Sequence, residues 1–217
     1  MSKYIVADDH PLFRNAICQV LQTLDENSDI VEAQDMASLQ IKLADHPDTV
    51  LVLEDVHMPG AHGFSALAYV KGQFPDLPVL VVSANEKPEI MQRAVEFGSK
   101  GFLPKSSDIE KIQKAIQSAL SGNVWLPEHA TESTTVSEDE CKLMEGIASL
   151  TPQQYLVLTM LAEGLLNKQI AYELDVTEAT IKAHMTAIFR KLGVRSRTQA
   201  VLAISKLNLE PPESVAT

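Results

Sequence analysis

Long apolar runs, cysteine and positive charge are all scarce in this chain of 217 residues. No uninterrupted apolar stretch approaches the ~18 residues that a bilayer-crossing helix needs, so no membrane span is expected. Acid at Asp8 and Asp9 arrives too early for the apolar core of a secretory leader. The two cysteines, Cys18 and Cys141, lie far apart, each in a helix-like pattern. That usage predicts reduced packing thiols in a cytoplasmic protein. No internal repeat occurs at solenoid periods, which excludes a stacked-repeat architecture. With 18 Lys and Arg against 29 Asp and Glu, the net charge of −11 argues against nucleic-acid binding by the chain taken as one body.

Dividing the chain reverses that last inference. Residues 1–149 hold 11 Lys and Arg against 23 Asp and Glu, a net −12, whereas residues 150–217 hold 7 against 6, a net +1. An acidic module is joined to a near-neutral one, and the overall balance hides any basic face on the second. The remaining composition, 45% hydrophobic and 22% charged, suits soluble globular domains, and the length suits one or two of them.

Residues 2–121 alternate strand-like and helix-like segments. Short apolar runs fall at 4–7, 30–33, 50–53, 79–83 and 101–103. Between them, residues 11–24, 36–44, 64–74, 88–97 and 108–120 place apolar positions three or four apart, and Pro11 and Pro88 suit first helical turns. Five βα units predict a doubly wound, five-stranded parallel sheet of flavodoxin-like type with helices on both faces. Residues 122–149 shift to Pro, Thr, Ser and Glu, which predicts a linker that turns helical near Glu138. Residues 150–209 read as a second, all-α domain of four helices, and residues 210–217 as a disordered tail. In that second domain Thr151-Pro152, Thr177 and Gly193 mark helix starts and a stop.

Chemistry concentrates where predicted strands end. Asp55 opens Asp55-Val56-His57-Met58-Pro59-Gly60 after one apolar run, and Asp8-Asp9 end another. In a parallel sheet the three carboxylates meet at the C-terminal edge, where open α/β sheets hold ligands. Their mutual repulsion calls for a hard divalent cation, and oxygen ligands suit Mg²⁺. An Asp beside Mg²⁺ can attack phosphorus. Glu54 precedes Asp55 where an apolar residue would continue the strand, and strand alternation points it away from the pocket.

With these motifs in this order, residues 2–121 resemble a bacterial response-regulator receiver domain. The resemblance implies that Asp55 accepts the phosphoryl group. It also implies that Asp8, Asp9, Asp55 and the backbone carbonyl of His57 hold Mg²⁺. Ser83 then matches the hydroxyl that bonds the acyl phosphate, Lys105 the lysine that pairs with its oxygens, and Phe102 the aromatic switch.

Residues 150–209 resemble the LuxR-type helix-turn-helix domain of the NarL/FixJ class of regulators. The match runs through Leu150-Thr151-Pro152, Asn167-Lys168-Gln169-Ile170-Ala171, Thr180-Ile181-Lys182-Ala183-His184 and Lys191-Leu192-Gly193-Val194. Gln154 stands where the family commonly has Glu, which removes a charge from any ion pair there. On the third helix of this domain, Ile181, Met185, Ile188 and Leu192 form an apolar stripe. Ala179, Lys182, Ala183, Thr186 and Arg190 gather opposite it. The resemblance turns Lys182, Ala183 and Thr186 toward the DNA major groove. Lys168, Thr180 and Arg195 become candidates for phosphate contacts, and Ala200, Val201 and Ile204 of the last helix for pairing. His184 borders the stripe and suits either packing or a phosphate contact.

These features predict a phosphorylation-controlled transcription regulator. Its partners would be a sensor histidine kinase, double-stranded promoter DNA and, when active, a second copy; it would not be an enzyme. A phosphate-independent pseudoreceiver is the alternative, suggested by Glu54 alone. A Mg²⁺-dependent phosphatase would want an acid at the position of His57 and a substrate-covering domain, and the sequence offers neither.

Overall fold

A computed structural model describes residues 2–130 and 136–207. Part of the expected linker, the end of the expected second domain and the expected tail fall outside the described residues. Strands β1 (Lys3–Ala7), β2 (Asp29–Ala33), β3 (Thr49–Asp55), β4 (Val79–Ser83) and β5 (Phe102–Pro104) pair in parallel, in the order β2-β1-β3-β4-β5. Helices α1 (Pro11–Leu24) and α5 (Ile109–Leu120) cover one face of the sheet. Helices α2 (Met36–Asp45), α3 (Ser65–Gln73) and α4 (Pro88–Glu96) cover the other. This is the doubly wound arrangement that the alternating pattern predicts, and its switch point lies between β1 and β3.

Strand β3 runs two residues further than its apolar pattern suggests. The ladder continues through Glu54 opposite Val81 and Asp55 opposite Val82. Alternation then separates the two acids. Val52 and Val56 face the layer of α2, α3 and α4, so Glu54 shares that side and Asp55 does not. Glu54 is fully buried, and neither carboxylate oxygen has a hydrogen-bond partner among the described residues. Pro104 is tolerated because β5 lies at the sheet edge, where a missing N–H costs no interior ladder bond.

The linker departs from expectation. Its first part is no free tether: Trp125 forms a parallel bridge with Gly101, its N–H donating to Lys100 and its carbonyl accepting from Phe102. Gly101 has φ +147°, and any side chain there would overlap the Trp125 carbonyl. Ala130 is buried, and its carbonyl accepts from the Gln92 side chain on α4. The polar composition of the segment concealed these attachments, because most of them use backbone rather than apolar side chains.

Helix α6 (Glu138–Ala148) begins at Ser137, whose hydroxyl accepts from the Glu140 N–H while the Glu140 carboxylate accepts from Ser137. It packs along α3 with Leu143, Met144 and Ile147 turned inward. Cys141 is exposed on α6, contrary to a packing role, whereas half-buried Cys18 packs beside the α1–α5 layer. Gly72 explains how close the two helices come: a Cβ there would overlap the Ala148 carbonyl. A glycine inside a helix costs roughly 0.5–1 kcal/mol relative to alanine, and the docked α6 gives it a reason to be there.

Helices α7 (Pro152–Ala162), α8 (Asn167–Glu173), α9 (Glu178–Lys191) and α10 (Arg197–Ser205) complete the fold. Thr151 caps α7 with Pro152 in its first turn, Thr177 caps α9, and Gly193 follows α9 at φ +68°. Ile181, Met185 and Ile188 are buried as the stripe predicts. Arg197 donates to the carbonyls of Leu161 and Leu165 at 3.1 and 2.7 Å, closing the end of α7. Lys191 donates to Gln154 Oε1 at 2.7 Å, so the position that lacks its acid still makes a hydrogen bond.

Burial, together with the nearby Asp55 charge, pushes the Glu54 carboxyl up to about 8. The folded chain therefore keeps a proton that the unfolded chain releases above roughly pH 4.3, and stability falls as pH climbs from there toward 8. Glu54→Gln is expected to raise stability at pH 8 on the order of 2 kcal/mol and to flatten this decline. Urea unfolding of both chains at pH 5 and pH 8 measures it; equal pH slopes would contradict it.

Candidate metal centre and nucleic-acid interface

Asp8 and Asp9 follow β1, Asp55 ends β3, Ser83 ends β4 and Lys105 follows β5, so adjacent strand ends bring them together. Ligand atoms of Asp8, Asp9, His10 and Asp55 lie within 4.8 Å of one another. Asp8 and Asp55 are buried and Asp9 is half-buried. Lys105 Nζ reaches Asp55 Oδ2 at 2.7 Å and Asp8 Oδ2 at 2.8 Å. Burial works against its charge, but bonds to the two carboxylates prevail and hold the ammonium pKa above its usual value. Asp8 Oδ2, beside Lys105 Nζ, and Asp9 Oδ1, beside His10 Nδ1, are buried without a well-directed hydrogen bond among the described residues. Such oxygens suit a hard divalent cation.

Of the other predicted residues, His57 lines the cleft above Asp55, whereas Ser83 and Phe102 are buried outside its lining. The His57 backbone N–H donates to Asp55 Oδ1 at 3.0 Å, while its side chain is exposed. The Ser83 hydroxyl is buried and accepts from the Asn85 N–H at 3.1 Å. Phe102 is fully buried beside the Trp125 segment. An open cleft of about 520 Å³ lies over Asp55, between His10, His57, Lys105 and the loop residues Ala84 to Lys87. His10 is the participant that sequence reasoning passed over. Its Nδ1 lies 2.6 Å from Asp9 Oδ1 and 3.2 Å from Lys105 Nζ, and its adjacency to the acid pair was the available signal.

On α9, Ala179, Lys182, Ala183, Thr186 and Arg190 are all exposed and share one face. Small side chains on that face allow close approach to a groove, with a cation at Lys182 and another at Arg190. Lys168 at the start of α8 and Arg195 after α9 are exposed, as phosphate contacts require. The Thr180 hydroxyl is engaged with Thr177 Oγ1 at 2.9 Å, and His184 is half-buried. On α10, Ala200 and Ile204 turn into the core, and Leu202 is the exposed apolar residue.

Fold and site together define a two-domain signalling protein with an acidic pocket and a helical DNA-reading unit. Residues 4–117 match the response regulator receiver domain, and residues 148–204 match the bacterial regulatory proteins of the luxR family. The chain belongs to the bacterial response regulators of the NarL/FixJ class, in which a receiver is joined to a LuxR-type DNA-binding domain; it is a transcriptional regulator and not an enzyme. It is 39% identical over 214 residues to the glycerol metabolism activator of Pseudomonas putida, covering 96% of this chain and 97% of that one. It is 29% identical to the nitrate/nitrite response regulator NarL of Escherichia coli K12, over 91% of this chain and 92% of NarL. Among solved structures it is similar to RcsB of Salmonella typhimurium, with 25% identity and a TM-score of 0.56, over 94% of this chain and all of that one. An RcsB–DNA complex matches at 27% identity and a TM-score of 0.55, covering 94% of this chain and 98% of that one.

Arg197→Ala is expected to destabilise the helical domain by about 1–3 kcal/mol, since two carbonyls at the end of α7 lose their charged donor. Urea unfolding followed by circular dichroism tests this, and an unchanged midpoint would contradict it.

Proposed function

We propose that Asp55 is the phosphoryl acceptor, charged by a sensor histidine kinase, and that its modification controls promoter binding by residues 150–209. The receiver is taken as residues 1–121 and the linker as 122–149. The single observation carrying this reading is the convergence of Asp8, Asp9 and Asp55 around Lys105 beneath an open cleft. The carboxylates of Asp8, Asp9 and Asp55, with the His57 carbonyl, would hold Mg²⁺, which would neutralise charge on the incoming phosphoryl oxygens. Lys105 then releases its Asp55 contact and pairs with one phosphoryl oxygen, and the Ser83 hydroxyl turns from the Asn85 N–H to donate to another. That turn leaves room beside Ser83, and Phe102 on the adjacent strand is placed to respond.

On the DNA side, Lys182, Ala183 and Thr186 face the bases. Arg190 supplies charge beside them, and Lys168, Thr180 and Arg195 position the backbone. Good base contacts discriminate by only about 1–3 kcal/mol each, so one module reads too little sequence. A homodimer on half-sites about one DNA turn apart doubles the readout. The protein acts in the cytoplasm; no helix among the described residues is long and apolar enough to cross a membrane.

Incubation with acetyl phosphate and Mg²⁺ is expected to add one phosphoryl group, seen by intact-mass measurement, and Asp55→Asn should abolish the gain. No gain, or a gain that survives Asp55→Asn, would remove Asp55 as the acceptor, and no gain would favour a phosphate-independent receiver. Lys182→Ala should weaken operator binding by about 1–2 kcal/mol at moderate salt with the fold retained. Unchanged affinity in a fluorescence anisotropy titration would count against this placement of the recognition helix.

A further inference from the structure

Beside the three carboxylates stands an imidazole that the phosphoryl chemistry leaves without a role. His10 Nδ1 lies 2.6 Å from Asp9 Oδ1, 3.3 Å from Asp8 Oδ1 and 3.9 Å from Asp55 Oδ2. It also lies 3.2 Å from Lys105 Nζ, in hydrogen-bonding geometry. An ammonium has only protons to offer, so this contact turns the Nδ1 lone pair toward the cluster. Asp9 Oδ1 has only lone pairs to offer, and it is buried with no well-directed hydrogen bond among the described residues. Neither neutral tautomer serves both neighbours: a proton on Nδ1 faces the ammonium, and a bare Nδ1 faces the carboxylate. A metal cation takes both lone pairs and removes the conflict. Lys105 Nζ marks where positive charge is wanted, since it touches Asp8, Asp55 and His10 at 2.8, 2.7 and 3.2 Å.

We propose that His10 is a nitrogen ligand of the divalent cation held by Asp8, Asp9 and Asp55, and that it widens the site from Mg²⁺ to first-row transition ions. The inference rests on the reading of these carboxylates as a cation site given above. Three carboxylates and a backbone carbonyl make an all-oxygen set, which suits hard ions. Mg²⁺ gains little from an imidazole, whereas Co²⁺, Ni²⁺ and Zn²⁺ gain strongly from one. The backbone of His10 is already fixed for this task. Its N–H donates to Asp8 Oδ1 at 2.7 Å, its carbonyl accepts from the Arg14 N–H at 3.0 Å, and the following Pro11 keeps it extended. Its ring is exposed, so a small rotation brings Nδ1 toward an ion without disturbing the core. His57, the other imidazole lining the cleft, stands apart. Its Nδ1 is 3.8 Å from Asp55 Oδ1, and it does not join the four residues whose ligand atoms lie within 4.8 Å of one another.

The test uses the full chain stripped of metal, with Mg²⁺ and Co²⁺ as probes in separate calorimetric titrations and Mn²⁺ as a spectroscopic probe. His10→Phe is expected to weaken Co²⁺ binding about tenfold and Mg²⁺ binding by less than about threefold. His10→Asn, which restores a good cap to α1 without the imidazole, should give the same split. Retained Mg²⁺ binding in either variant shows that the carboxylate pocket is intact. Pulsed electron paramagnetic resonance of bound Mn²⁺ should reveal coupling to a directly bound ring nitrogen in the parent chain, and both variants should lose it. Equal losses for Mg²⁺ and Co²⁺ would make His10 a cap of α1 and overturn the proposal. So would nitrogen coupling that persists without His10, or that is absent from the parent chain. Mg²⁺ binding with a Co²⁺ affinity indifferent to His10 would remove the ligand and keep the carboxylate site. A parent chain that binds neither ion would instead sink the carboxylate site, and this proposal with it.

Discussion

Crowding of negative charge at one end of the sheet is the constraint around which this protein is organised. Two buried carboxylates, Asp8 and Asp55, and half-buried Asp9 are held together by strand ends that the core does not let separate. Isolated carboxylates buried side by side repel strongly, and the Lys105 ammonium, bonded to both Asp8 and Asp55, offsets this repulsion. On the proposed reading the same ammonium would give up Asp55 to a phosphoryl oxygen. The contact that holds the unmodified site would then be the contact that modification exchanges, giving a local charge event leverage on the loop from Asp55 to Gly60.

That leverage needs a rigid path to the helical domain. Helix α6 supplies it through close backbone approach at Gly72 and Gly146 together with the buried side chains of Leu143, Met144 and Ile147. Interfaces keyed by glycine are intolerant of small displacements, because a few tenths of an ångström convert contact into overlap. A fitted surface of this kind favours discrete arrangements over gradual ones, which suits a regulator that must be either on or off.

Much of the fold was legible in the sequence because each receiver strand is a short apolar run and each helix has a clear period. Asp55, Asp8, Asp9 and Lys105 were legible for a related reason: chemistry sits where apolar runs stop. The end of β3 was misplaced since a buried, unpaired Glu54 looks like a loop residue to any pattern based on polarity. The attached linker was hidden because backbone groups of Lys100, Phe102 and Trp125 make its bonds. His10 was missed as one more polar residue after an acid pair. The inward turn of Ala200 and Ile204 could not be read from α10, whose apolar residues spread around the helix instead of marking one side.

The strand-like attachment of Trp125 beside Gly101 bears on how such proteins recombine. A gene fusion that kept the receiver but replaced everything after Leu120 would expose the β5 edge and leave Gly101 shaped for a missing neighbour. Functional chimeras between regulators of this kind should therefore be cut beyond Ala130, so that Gly101 keeps its Trp125 neighbour. Evolutionary exchange of output domains is in this sense restricted by a few backbone atoms, and the inheritable unit is the receiver with its strap.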